Sequence, residues 1–183
     1  MQHSLVNIVR SANDGVRILG LDPGLRHTGW GLIEAKGQGL RYLASGVINP
    51  SAKEESLALR LAELFEKLLD VVKACAPDEA VVEEVFVNKN PGSTLKLGMA
   101  RGVVLLVPAH CEIPVFEYTA NQVKKSVVGT GHADKNQVMH MVRRLLPTAP
   151  ADMKADAADA LAAALCHAHH RLMNRYSVLT QSA

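Results

Sequence analysis

No apolar run in this 183-residue chain approaches the roughly twenty residues needed to cross a bilayer, which excludes an integral helical membrane protein. Cysteine is scarce and odd in number. Cys75, Cys111 and Cys166 are too widely spaced for a disulfide framework or a zinc site, and they fit reduced thiols in a cytoplasm. There is no GxxxxGK[ST] phosphate loop, so any motor activity must come from a partner. Residues 1–15 mix His3, Asn7, Arg10, Asn13 and Asp14 with a few aliphatics and lack the unbroken apolar core of a signal peptide; they read as a flexible extension. Internal repeats and low-complexity linkers are also missing. What remains is one domain over residues 16–173, long enough to bury roughly 70% of its unfolded surface, with a disordered polar tail over 174–183.

The net charge of +2 is uninformative, but its distribution is not. Residues 54–84 carry nine acids against three bases, and residues 88–146 eight bases against three acids. A basic segment after an acidic one fits either a surface that faces a polyanion or a solvated helix face.

The patterning places three strands first. Ile18-Leu19-Gly20-Leu21-Asp22 is an apolar run closed by Pro23-Gly24, and Thr28–Ile33 and Leu40–Val47 follow after short linkers as an antiparallel meander. Leu57, Leu61, Leu64, Phe65, Leu68 and Val72 recur at helical spacing, predicting a helix over Glu54–Cys75 that Pro77 stops. Glu79–Val85 reads as a buried parallel strand around Ala80-Val81-Val82. After the loop at 88–92, Ser93 or Thr94 is expected to cap a helix to about Glu112, with Gly98 and Gly102 one turn apart for close packing. A short strand at Pro114–Tyr118 leads to two capping boxes, Thr119 with Gln122 and Asp134 with Gln137, each opening a helix. An Ala-rich helix over Asp156–Arg171 ends the domain. This order implies a mixed sheet with helices on its faces, hence α/β or α+β around one core.

Four acids stand in apolar settings: Asp22, Glu83, Asp156 and Asp159. Taken alone, Asp22 is a turn residue before Pro-Gly, Asp156 suits the helix macrodipole, and Asp159 could be solvated. Glu83 and Glu84 must point to opposite sides of their strand, and the pattern does not choose between them. Asp156 and Asp159, however, share one face of a helix whose other residues there are alanines and Leu161. Two carboxylates on a packing face repel each other unless protonated or bridged by cations, and hard oxygen donors suit Mg2+ or Mn2+. The chemistry expected of such a set is two-metal phosphodiester hydrolysis with ions roughly 4 Å apart. The shared ligand belongs on the most rigid element, which favours Asp22. Gly29 and Gly31 leave little side chain on one face, as they would if another backbone or a ligand approached closely, and beside the acids they would leave room for a nucleic-acid backbone.

Gly20-Leu21-Asp22-Pro23-Gly24, Thr28-Gly29-Trp30-Gly31, Val82-Glu83-Glu84-Val85-Phe86, Leu97-Gly98-Met99-Ala100-Arg101-Gly102 and Ala155-Asp156-Ala157-Ala158-Asp159-Ala160-Leu161-Ala162 occur in this order over about Arg17–His170. Together they resemble the bacterial RuvC Holliday-junction resolvases. The resemblance implies an RNase H-like α/β fold with a five-stranded mixed sheet, an antiparallel meander plus parallel strands, flanked by helices. It implies a homodimer that binds four-way junction DNA and nicks two opposing strands symmetrically with two Mg2+ per active site (Mn2+ substituting), and RuvA–RuvB as branch-migration partner. Carried over by position, Asp22, Glu83, Asp156 and Asp159 are the catalytic, metal-binding acids; some members have His at the place of Asp156. Phe86 matches an aromatic that contacts junction bases, though its pattern equally fits a core Phe. Lys89 in the same loop, Lys124 and Lys135 are placed as DNA-binding residues. Lys135 opens a helix against the macrodipole, which a nearby phosphate would help explain.

His167, His169 and His170 are read as helix-end residues without a role, and Arg143 and Arg144 as solvated or DNA-facing. Two other functions fit these residues. One is an RNase H-like nuclease on RNA–DNA hybrids or other RNA, against which the Phe86 loop and the basic segment argue. The other is a non-catalytic junction-binding module, against which the presence of all four acids argues.

Overall fold

The computed structural model describes residues 15–51, 56–84 and 90–181, with side chains as far as Met173. Phe86, Lys89 and residues 1–14 of the extension lie outside the described residues. Strands β1 (Val16–Asp22), β2 (Thr28–Lys36) and β3 (Gly39–Ile48) form the antiparallel meander. Helix α1 (Leu57–Cys75) crosses over to β4 (Glu79–Glu84), and α2 (Pro91–His110) to β5 (Val115–Thr119). Both crossovers return in parallel, giving the sheet order β3-β2-β1-β4-β5. Helices α3 (Ala120–Val128), α4 (Lys135–Leu145) and α5 (Ala155–Gln181) complete the chain. The expected five-stranded mixed sheet flanked by helices is the observed one.

The alternation of β1 sorts the core into two layers. Leu19 and Leu21 face one side with Leu64, Leu68 and Val72 of α1 and Val104 and Val107 of α2. Ile18 faces the other with Val123 of α3, Val142 of α4 and Leu161 and Leu165 of α5. Both expected capping boxes form. The start of α2 differs from expectation: Asn90 is the cap, its side chain accepting from Gly92 and Ser93 N–H, because Pro91 takes the first helical position where no N–H is needed. Gly98 and Gly102 do not pack closely; a Cβ at either would meet nothing among the described residues within 4 Å. Helix α5 continues to Gln181, past residue 174 where the sequence pattern places a tail, and neither Gly nor Pro occurs over 155–181 to end it.

Three sheet glycines decide how close α5 comes. A Cβ on Gly20 would lie 1.9 Å from the Ala160 carbonyl oxygen, and one on Gly29 would lie 1.9 Å from that of Asp156. One on Gly31 would lie 2.5 Å from Leu161 Cγ. Of the two expected occupants of the space beside Gly29 and Gly31, another backbone or a ligand, the one observed is the backbone and Leu161 of α5, so nucleic acid does not lie there. Because the clash at Gly20 is with backbone, no side chain can swing aside. Gly20→Ala is expected to destabilise the fold by about 1–3 kcal/mol through overpacking, seen as a lowered midpoint in thermal unfolding; an unchanged midpoint would contradict this seating.

Candidate metal centre

Asp22 ends β1 on the face of Ile18 and Gly20, so its carboxyl is turned toward α5. The turn behind it is fixed by Thr28, which is fully buried: its Oγ1 donates to the Gly24 carbonyl at 2.6 Å and accepts from the Gly24 N–H at 3.3 Å. On β4 the same alternation puts Glu79, Val81 and Glu83 toward α5 and Glu84, which is exposed, on the opposite face. That settles the orientation which the sequence pattern leaves open. Asp156 and Asp159, in the first turns of α5, are half-buried above the glycine-lined strands.

Asp22, Glu83 and Asp159 each stand within reach of another acid's charge. Burial pushes the Asp22 carboxyl up to about 8, reinforced by repulsion from Glu83, Asp159 and Asp156, with Lys135 opposing. Glu83 is pushed up to about 7 by burial and then by Asp159, with Lys124 and Lys135 opposing. Asp159 is also raised by burial, against the pull of Lys135. The Lys135 ammonium lies 3.4 Å from Asp159 Oδ2, so its place in the first turn of α4 is explained by that carboxylate. Of the residues expected at the site, the structure thus brings together Asp22, Glu83, Asp156, Asp159, Lys124 and Lys135.

Two lysines do not neutralise four carboxylates, and burial, reinforced by the neighbouring acids, keeps the carboxyls of Asp22 and Glu83 raised. An all-oxygen, anionic donor set of this kind fits a hard divalent cation. Among the described residues no three His, Cys, Asp or Glu side chains already converge to ligating geometry, so charge and not a closed cage is what couples the acids.

Sequence reasoning missed a second polar cluster behind the acids. His167, read as a helix-end residue, is only 3% exposed. Its Nδ1 lies 2.9 Å from the Tyr118 hydroxyl, its Nε2 2.8 Å from Glu79 Oε2, and Arg171 holds both oxygens of Glu79 at 2.9 and 3.0 Å. The available signal was Glu79, four residues before Glu83 and so on the same strand face.

The raised carboxyls fix the sign of a pH effect. In the unfolded chain these groups release their protons near pH 4, whereas folded Asp22 and Glu83 hold theirs to about 8 and about 7. Their stabilising effect is fully present below the unfolded value and is lost as pH rises from about 4 to about 8. Without divalent cations, thermal unfolding should show stability from this cluster falling across that window. Added Mg2+ or Mn2+ should raise the midpoint more at pH 8 than at pH 5; an equal or smaller rise at pH 8 would contradict the coupling.

The family model described as crossover junction endodeoxyribonuclease RuvC matches residues 18–167. A RuvC crossover junction endodeoxyribonuclease of Paramagnetospirillum magneticum is 62% identical over 156 residues, covering 85% of this chain and 93% of that one. That of Mesorhizobium japonicum is 52% identical over 163 residues, covering 89% and 95%. Among solved structures, Thermus thermophilus RuvC in complex with a Holliday junction substrate superposes with a TM-score of 0.79 at 34% identity, covering 87% of this chain and 96% of that one. The yeast mitochondrial resolvase Ydc2, at 15% identity and a TM-score of 0.62, shares the fold. The matched span runs from β1 into α5 and contains all four acids: the chain belongs to the RuvC family of crossover junction endodeoxyribonucleases, nucleases that use divalent metal.

Proposed function

We propose that this chain is a Mg2+-dependent endonuclease that resolves four-way DNA junctions by paired symmetric nicks, leaving 5′-phosphate and 3′-hydroxyl ends. The observation that carries this reading is a half-buried site in which Glu83, Asp159 and Asp156 repel the Asp22 carboxylate and Asp159 repels that of Glu83, with Lys124 and Lys135 at its edge. Asp22, on the most rigid element, would be shared by two ions, with Glu83 and Asp159 holding one each and Asp156 supporting the water side. When bound, the ions supply activation of the attacking water and stabilisation of the leaving 3′ oxygen. The chain's own part is to hold the acids in one register, to offset phosphate charge with Lys124 and Lys135, and to exclude bulk water between α5 and β1. Lys135 belongs beside a non-bridging phosphate oxygen, since its ammonium already stands at the rim of the acid set.

Paired nicks need two active sites, and helix α2 offers a surface for a second copy. Leu95, Met99 and Leu106, 62%, 40% and 56% exposed, line a face with Gly98 and Gly102, where backbone could approach closely. Branch migration is assigned to a RuvA–RuvB partner, consistent with the absence of a phosphate loop. Among the described residues no helix is long and apolar enough to cross a membrane.

The direct test is mapped cleavage of a mobile four-way junction against an RNA–DNA hybrid duplex, with and without Mg2+. Symmetric nicks on the junction that require Mg2+, and fall at least about 100-fold in Asp22→Asn, are expected. Preferential cleavage of the hybrid would move the substrate to RNA; junction binding with no cleavage under Mg2+ or Mn2+ would make the chain a binding module. Leu106→Glu, at an exposed position, should sediment as a folded monomer and lose coordinated incision; an active, paired-nicking monomer would contradict the dimer.

A further inference from the structure

Helix α5 meets the sheet largely through small side chains, with Leu161 and Leu165 as its two large fully buried ones. Ala157, Ala158, Ala160, Ala162, Ala163 and Ala164 are all buried, and opposite several of them stand glycines. Methyl groups against bare backbone allow close approach but interlock little, so along the alanine stretch only Leu161, Leu165 and the glycine seats key α5 to the sheet by shape. The register matters, because this helix carries Asp156 and Asp159, and because Asp159 and Glu83 repel each other across the gap.

The polar cluster around His167 supplies the directionality that the alanines lack. Glu79 can only accept, so Nε2 of His167 carries the proton and donates to it, and Nδ1 accepts from the Tyr118 hydroxyl. Both ring nitrogens are therefore committed, one to β4 and the other to β5. Tyr118 is the register partner of Glu83, and Glu79 lies on the same face of the same strand as Glu83. Phe116 lies against the imidazole with ring centres 4.3 Å apart, and His170 stacks on Tyr118 at 5.0 Å. Arg171 closes the far end on Glu79. From His167 back to Asp159 is a span of about 12 Å along one rigid helix, at about 1.5 Å per residue. An apolar side chain in place of the imidazole would fill the same volume but leave the Tyr118 hydroxyl and Glu79 each short of a partner. Two oriented hydrogen bonds to the strands flanking and carrying Glu83 do something packing does not, which is to fix where α5 stops along the sheet.

We propose that Tyr118, His167 and Glu79 are positioning residues for the metal centre, holding Asp159 at a set distance from Glu83. The inference rests on the acid cluster being a cation site. Tyr118→Phe removes a single hydroxyl and keeps the ring. His167→Leu removes both hydrogen bonds at similar volume, and His167→Gln restores a donor and an acceptor at one side chain. The full chain of each variant is titrated with Mn2+ by calorimetry, its unfolding midpoint is recorded, and junction affinity is measured without divalent cation.

Tyr118→Phe should fold and bind the junction as wild type does, and His167→Leu should fold with a lowered unfolding midpoint; both should bind Mn2+ about tenfold more weakly. They should also need correspondingly more Mg2+ for half-maximal nicking, and His167→Gln should recover part of the loss. A purely structural role would lower the unfolding midpoint and the active fraction without moving the metal midpoint. Wild-type Mn2+ affinity in folded Tyr118→Phe would overturn the proposal. If the variants fail to fold, so that only stability is lost, the cluster is packing and the proposal falls. If the wild-type chain itself binds no Mn2+, it is the cation-site reading that fails.

Discussion

The approach of α5 to β1 and β2 is set by Gly20, Gly29 and Gly31, whose missing side chains leave the space taken by the Ala160 and Asp156 carbonyls and by Leu161. Close seating has an electrostatic consequence. It draws Asp156 and Asp159 down toward Asp22 and Glu83, on a surface where water is partly excluded and like charges are screened little. A larger residue at these strand positions would lift the helix and let solvent between the acids. The same contact that completes the core on this side of the sheet thus creates a site that resists holding its own charge.

That resistance connects structure to function. Carboxylates that stay partly protonated near neutrality are poor partners for one another and good partners for a cation that arrives with its own charge. Lys135, paired with Asp159, and Lys124 offset part of the excess. Neither is an oxygen-seeking divalent ion, so neither substitutes for one. Their position suits a phosphodiester instead, which brings negative charge to the same edge. The opposite sheet face is covered by α1 and α2.

Much of this was legible in the chain. An Asp ending an apolar strand, a Glu inside another, and two Asp three apart among alanines are each unremarkable, but each puts a carboxylate where a core should be, and the sheet brings all four together. The five strands, their mixed directions and both capping boxes follow from local pattern. The choice of Glu83 over Glu84 did not, because a period of two leaves the inward face open until neighbouring strands are placed. The glycines of β2 signalled close approach correctly, but only the packed structure shows that the approaching backbone is α5 and not a ligand. His167 looked like a helix-end residue because α5 was expected to stop near Arg171; with the helix running on to Gln181, that histidine lies mid-helix and buried. Its partners Tyr118 and Glu79 are 49 and 88 residues away in sequence, beyond any local pattern.

An acid cluster of this kind exchanges protons for the divalent cation it binds. Titrating the metal-free protein with Mn2+ at pH 7 in buffers of different ionisation enthalpy counts the protons released. With the Asp22 carboxyl held up to about 8 and that of Glu83 to about 7, binding should release about one proton or more per chain. Binding without proton release would mean that the carboxylates are already ionised and uncoupled, and would contradict it.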